Sequence, residues 1–280
     1  MRIGYACIAL AVEGTDLKSC TMKNASPERL LSLVSNNLRA LGAMIDYNIK
    51  NNILLYRVSS DLVPFGSSFA RDIPWEAENE AFLCSIRKKI AASGMRVSMH
   101  PGQYTVLSSP DADVTARGVE DLRYHARVLD SLAPGREHKI VLHGGGKYGD
   151  TPSAMRRFVS AFRDLDASVV RRLVLENDGS IYTISEVFEL AGIIGTPVIY
   201  DNLHNALNPA DKTKDDAYWI AQAAPTWSAA DGPQKLHYSQ QHLVKTRGAH
   251  SDSIAIVPFL DYCHRLPDRS VDIMLEVKDK

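Results

Sequence analysis

Eight short apolar runs punctuate the chain, at residues 2–9, 53–59, 97–100, 140–143, 172–176, 197–201, 235–238 and 271–277. Their length and their richness in Val, Ile and Leu predict buried strands. Between them lie longer segments with helical periodicity, placed at 27–45, 76–92, 114–132, from Pro152 onward, 185–194, 215–224 and 253–264. Start and stop signals agree with these positions: Ser26-Pro27-Glu28 reads as N-cap, first helical residue and early acid, and Gly94, Pro134-Gly135 and Gly195 read as terminators. Strand and helix therefore alternate through the whole sequence, which predicts an α/β fold: a single TIM-type (β/α) barrel of eight parallel strands. Seven outer helices are predicted, because no sequence remains after the eighth strand to form another. One barrel domain spanning 1–280 is expected, at a length suited to one eight-unit barrel.

What distinguishes the strands is how they end. Six apolar runs stop at His100, His143, Glu176, Asp201, His237 and Glu276, all residue types that ligate metals. In a parallel barrel every strand finishes on one face, and that face carries the active site. Together with His204 and His250 on following loops, these give five imidazoles and three carboxylates at one rim. Mixed nitrogen and oxygen ligands suit zinc, manganese or iron, and eight groups exceed the needs of one ion. Two or three ions are expected, with Glu176 as the bridging carboxylate. A lone strand-end histidine is more often a bonded core residue; the joint pattern carries the metal reading. His125, His138, His242 and His264 fall in helices or turns and are expected at the surface.

Lys235 stands two residues before His237, so both side chains point the same way in a strand. Beside cations its ammonium would be repelled, which favours a neutral or modified lysine, or one that reaches solvent or phosphate. The run Gly144-Gly145-Gly146 could aim backbone N–H groups at a phosphate oxygen, or simply turn the chain. Gln103 and Tyr104 follow a Pro-Gly turn that favours exposure, where an aromatic ring and an amide can fill the space left by displaced bases. No serine-hydrolase elbow or phosphate-loop motif is present.

Composition narrows the class. A net charge of −1 argues against a protein that coats nucleic acid indiscriminately, while leaving room for a local basic path, for which Arg57, Lys147, Arg247 and Lys278 are candidates. Cys7, Cys20, Cys84 and Cys263 are scattered without a CxxC pair, as expected of structural thiols in a reduced cytoplasmic compartment. The opening Met1-Arg2 and the following apolar run have the outline of a secretory leader, but one basic residue precedes the run and it fits a first strand. No apolar stretch reaches the ~18 residues of a membrane span. A monomer outside the membrane is expected.

The sequence resembles the ultraviolet damage endonuclease family over essentially its whole length. The resemblance is carried by Gly4-Tyr5-Ala6, residues 56–64 with their Ser59-Ser60 pair and Pro64, His100-Pro101-Gly102-Gln103-Tyr104, Leu142-His143-Gly144-Gly145, Leu175-Glu176-Asn177-Asp178, Asp201-Asn202-Leu203-His204, Lys235-Leu236-His237-Tyr238-Ser239, residues 248–252 and residues 274–280. It implies a distant relationship to endonuclease IV and a trinuclear manganese-type site that nicks ultraviolet-damaged duplex DNA immediately 5′ of a photoproduct. It further implies that Gln103, Tyr104 and Tyr5 probe the lesion, that Lys235 is an N6-carboxylysine, and that Glu176 and Lys235 serve catalysis. One ion would take His100, His143 and Glu176; a second Glu176, Asp201, His237 and Glu276; a third His204 and His250. The family's further histidine after the serine-rich segment is replaced here by Ser67 and Ser68. Two other classes use similar grammar: a metal-dependent sugar isomerase or epimerase with a closed pocket, and an inert damaged-DNA binding module.

Overall fold

The computed structural model describes residues 1–277. Its eight strands are β1 (Arg2–Ala6), β2 (Leu55–Arg57), β3 (Arg96–Met99), β4 (Lys139–His143), β5 (Leu173–Glu176), β6 (Val198–Asp201), β7 (Lys235–Tyr238) and β8 (Asp272–Leu275). All pair in parallel in sequence order, and β1 closes the barrel against β8 through Ile3 with Ile273 and Gly4 with Met274. The predicted parallel barrel is thus observed.

Ten α-helices surround it among the described residues: α1 (Pro27–Lys50), α2 (Trp75–Glu78), α3 (Glu80–Ser93), α4 (Ala112–Leu132), α5 (Thr151–Arg163), α6 (Ala167–Val170), α7 (Ile184–Ile194), α8 (Asn202–Leu207), α9 (Asp216–Ala223) and α10 (Ile256–His264). The count of seven is corrected by α6 and α8, of four and six residues and too short to show an apolar period, and by a break at Asn79 that divides the predicted helix 76–92 into α2 and α3. Among the described residues no helix follows β8. The first strand stops at Ala6, short of the predicted Ala9, because Cys7 takes a φ of 74° and turns the chain. Helix α1 runs five residues beyond the predicted Ile45; its last turns bury Asn48, whose Oδ1 accepts from the Tyr5 hydroxyl at 2.9 Å.

Capping explains the boundaries of the long helices. The Ser26 hydroxyl accepts from Arg29 N, and Thr183 and Glu186 form a reciprocal capping box at α7. Gly94 and Gly195 close α3 and α7 in the left-handed region.

Side chains alternate between the barrel interior and the helical layer. Ala6, Leu55 and Met274 cluster inside, as do Val141, Val174 and Ile199. Gly4 lies in the same layer, where an added Cβ would sit 2.0 Å from Leu55 O, so the close approach of β1 and β2 demands glycine. The floor of the barrel is ionic: Arg96 pairs with Asp272 and donates to Pro233 O and Asp231 O, and Lys139 pairs with Asp231, which also takes Arg136 at 2.8 Å. Burial lowers the Lys139 ammonium to about 8 against the opposing pull of Asp231.

Two histidines expected at the surface are buried instead. His125 bonds Asp121 O at 2.6 Å and Ser60 Oγ at 2.8 Å, and His138 accepts from Val97 N at 3.1 Å. Each sits on the inward side of its segment, where a satisfied imidazole packs without a charge: burial pushes His138 down to about 4. His242 is half-buried, and His264 is exposed as expected.

Candidate metal centre

The strand alternation that fills the interior with Val141, Val174 and Ile199 also aims the next inward residue of each strand at the C-terminal rim. His143, Glu176 and Asp201 are those residues on β4, β5 and β6, two positions above the apolar layer. His237 occupies the equivalent place on β7, and His100 and Glu276 immediately follow β3 and β8. His204 lies on α8, whose first turn is capped by Asp201 Oδ1 accepting from His204 N at 2.7 Å.

Glu176 is at the centre and fully buried. Its Oε1 lies 2.8 Å from His237 Nδ1 and 3.6 Å from His204 Nδ1; its Oε2 lies 3.0 Å from His100 Nε2 and 3.8 Å from His143 Nε2. One carboxylate therefore reaches four imidazoles. His237 Nδ1 is 3.2 Å from Glu276 Oε1, and His250 Nδ1 is 3.8 Å from Glu276 Oε2. Ligand atoms within 4.8 Å of one another form two groups, His100, Glu176, His237 and Glu276, and His143, Glu176 and His204. These groups divide the ligands differently from the resemblance, joining His100 to His237 and His143 to His204, while Glu176 belongs to both. Asp201 stands beside them, with Oδ1 3.8 Å from His204 Nδ1.

Polar groups that should be satisfied are left open here. His143 Nδ1, His237 Nε2, Asp201 Oδ2 and Lys235 Nζ are buried without a hydrogen-bond partner. So many orphans in one region are uncommon in a folded core, and divalent cations would satisfy the ligand atoms among them. Outer contacts orient the rings: His100 Nδ1 pairs with Pro101 O at 3.0 Å and His204 Nδ1 with Asn177 O at 2.9 Å, which leaves Nε2 of each as the ring nitrogen available to a cation. Asn177 also brackets Asp201, accepting from its N and donating to its O.

The electrostatics follow from crowding. Burial would raise the Glu176 carboxyl, but His237, His143 and His100 outweigh it and hold the group well below its ordinary range. Burial lowers His143 to about 4 against the opposing pull of Glu176. Burial, with Glu176 and Glu276 adding to it against His204, lifts Asp201 to about 7. For Glu276 burial is overcome by Arg57 and His237, which lower its carboxyl.

Arg57 is a functional neighbour whose role the sequence hid. Expected on a DNA path, it pairs with Glu276 with its side chain 12% exposed. Its place on β2, two residues after the inward Leu55, was the available signal. Lys147 is tied to Glu186 at 2.6 Å and faces the Tyr182 ring. Lys278 lies outside the described residues.

Beside the imidazoles opens a cleft of about 510 Å³ lined by Gln103, His143, Gly145, His204, Leu207 and Arg247 among others. Gln103 lines it, and the neighbouring Tyr104, on the same loop after His100, is 71% exposed. Tyr5 is not brought to this loop by its own strand's geometry: with Gly4 and Ala6 facing inward, its ring packs edge-on to Tyr56 in the helical layer and its hydroxyl is taken by Asn48. Ser67 and Ser68 sit in a turn, where Ser68 Oγ donates to Phe65 O. The four cysteines are unpaired thiols, and among the described residues no helix is long and apolar enough to cross a membrane.

Comparison with known proteins matches this arrangement to one family. The family model described as UV-endonuclease UvdE covers residues 1–280. A UV DNA damage endonuclease from Clostridium perfringens is 40% identical over 285 residues, spanning all of this chain and 68% of that protein. A second, from Bacillus pumilus, is 31% identical and spans all of this chain and 90% of its own length. Among solved structures, the crystal structure of SacUVDE superposes with a TM-score of 0.93 at 31% identity, covering 100% of this chain and 94% of the other. Endonuclease IV from Thermus thermophilus (TM-score 0.58, 16% identity, covering 99% and 92%) and D-psicose 3-epimerase from Clostridium cellulolyticum (0.58, 12%, covering 99% and 85%) share the barrel fold. By the full-length family match and the identity to its relatives, this chain belongs to the UV-endonuclease UvdE family.

Proposed function

We propose that the chain nicks duplex DNA immediately 5′ of ultraviolet photoproducts by metal-dependent phosphodiester hydrolysis, using three divalent ions, manganese in the first instance. The observation that carries this reading is Glu176: one buried carboxylate within 3.8 Å of four imidazoles, beside unpartnered ligand atoms of His143, Asp201 and His237 that cations would satisfy. Family membership supplies the substrate class, since the relatives are UV DNA damage endonucleases. His100, His143, Glu176, Asp201, His204, His237, His250 and Glu276 would hold the ions. When bound, such ions activate water and neutralise the non-bridging and departing phosphate oxygens.

The protein's own contribution is positional. Glu176, kept ionised, anchors both ligand groups, and Arg57 fixes Glu276 from behind. Lys235, buried with an unpartnered Nζ, is a candidate for a charge-altering modification; addition of carbon dioxide to the neutral amine would give a carbamate and release one proton. Gln103 and Tyr104 would fill the gap beside a flipped lesion, and the adjoining cleft would receive the extruded bases at low cost because damaged bases stack poorly. The open cleft and exposed Tyr104 favour a polymer substrate over the closed pocket a sugar epimerase needs.

The test is incubation with ultraviolet-irradiated and untreated duplexes in manganese, with end-labelled mapping of any nick. Cuts confined to the 5′ side of adjacent pyrimidines in irradiated DNA are expected. Equal cutting of untreated DNA, or no cutting, refutes the reading.

A further inference from the structure

The segment between β7 and α10 holds the two most exposed large apolar side chains among the described residues, Leu243 at 99% and Val244 at 88%. They do not lie on a slack loop. Gln241 bridges to His250 in antiparallel fashion, and its side-chain amide donates to the carbonyls of His242, Thr246 and Ala249 while its Oε1 accepts from Gly248 N at 2.7 Å. His242 Nδ1 accepts from both Val244 N and Lys245 N at 3.2 Å, and His242 and Lys245 each pair with Asp252 at 3.1 Å. A turn cross-braced in this way holds an apolar dipeptide in water, where a freer chain would fold it inward.

Its placement gives the dipeptide a use. The segment leaves the C-terminal end of β7 and returns through His250, a member of the metal centre, so it rises from the same face. Leu243 lies two residues beyond Gln241, and bridged residues are about 5 Å apart, so its Cα is at most ~12 Å from that of His250. That span equals about four base-pair steps. The neighbours are charged and polar: Lys245 and Arg247 are exposed, Asp252 pairs with Lys245, and Arg247 lines the same cleft as Gln103. Two apolar side chains ringed by such residues are too little for a stable protein interface, which needs roughly 800 Å² from each partner. They match a narrow groove flanked by phosphates, into which Leu-type wedges insert between base steps.

We propose that Leu243 and Val244 form a wedge that enters the minor groove of the substrate duplex and partly unstacks one base step within about four base pairs of the bond cut at the metal centre, with Lys245 and Arg247 on the adjoining phosphates. The inference rests on the endonuclease reading and adds to it a specificity contact from a segment other than the loop of Gln103 and Tyr104.

The test compares the manganese-loaded wild type with the Leu243→Ser/Val244→Ser variant and with Leu243→Met on an irradiated duplex carrying 2-aminopurine at each of the four steps around the cut. For the double serine variant KM should rise roughly tenfold to a hundredfold, the factor that burial of one or two aliphatic side chains gives, with a smaller change in kcat. The 2-aminopurine brightening seen with wild type should disappear, while Leu243→Met keeps both. Manganese content and melting temperature verify that the variants fold. Unchanged KM and unchanged brightening in the double serine variant overturn the wedge. A photocrosslinker placed at position 243 gives a readout independent of cutting: attachment to DNA supports the wedge, and attachment to a second copy of the chain overturns it. If the wild type leaves irradiated DNA uncut, the endonuclease reading fails on its own, and the crosslink still decides where the tip binds.

Discussion

Replacing Glu176 by Gln probes the centre of the site with almost no change of shape. The carboxylate offers two anionic oxygens, one facing His237 and His204 and the other His100 and His143. An amide keeps one neutral oxygen and turns the other position into a donor that cannot ligate a cation. The group of His100, His237 and Glu276 retains a carboxylate, whereas the group of His143 and His204 retains none of its own. The size of the loss follows from the geometry. At 4.8 Å, an upper bound on the spacing within either group, a unit charge and a divalent ion attract by about 7 kcal/mol at an effective dielectric of 20. A third of that is already about a fiftyfold loss in affinity. Glu176→Gln should therefore lose at least one ion per chain on gel filtration, as counted by elemental analysis, and should lose incision while still shifting irradiated duplex in a gel. A variant with the wild-type ion count and manganese-dependent cutting would refute the bridging role.

Three further outcomes are expected. Asp231→Ala should destabilise the fold by about 3 to 5 kcal/mol in urea unfolding, because Lys139 stays buried without its carboxylate, and adding Lys139→Met should recover much of the loss; a cost under about 1 kcal/mol would remove the ionic floor from the account of stability. In the metal-free chain burial lowers the His204 imidazolium, but Asp201, Glu176 and Glu276 outweigh it and raise it to about 9. Metal loading must expel that proton, so apparent manganese affinity should climb about tenfold per pH unit from pH 7 to about 9. The same raised value stabilises the metal-free fold fully below the unfolded value of about 6.5, and this contribution is lost as pH rises through about 9; calorimetry in two buffers of different ionisation heat that finds no proton release at pH 7 counts against it. Gln103→Ala with Tyr104→Ala should cut the preference for irradiated over untreated duplex about tenfold or more, the worth of one lost stacking contact, with manganese content unaltered; an unchanged preference ratio would remove both residues from lesion reading.

The barrel and the ligands at its rim were legible in the chain because both rest on local rules. Buried parallel strands need continuous apolar runs, and a residue of metal-binding type at the end of Val198–Asp201 or Lys139–His143 is visible without knowing its neighbours. The short helices α6 and α8 were not, since four to six residues cannot display a period, and neither was the break at Asn79 between α2 and α3. Nor was the fate of isolated polar residues. Arg57 became an ion-pair partner of Glu276, His125 and His138 became core hydrogen-bonding groups, and Tyr5 turned towards Asn48, each through contacts with a segment distant in sequence. The sequence by itself determined strand order, strand direction and the identity of the rim residues, for these follow from periodicity. Which oxygen of Glu176 meets which imidazole, and which apolar side chains stay in water at Leu243 and Val244, was decided only when β-strands from both ends of the chain closed into one ring. Ligand geometry is a property of that closure, because distances between strands exist only once the ring has formed.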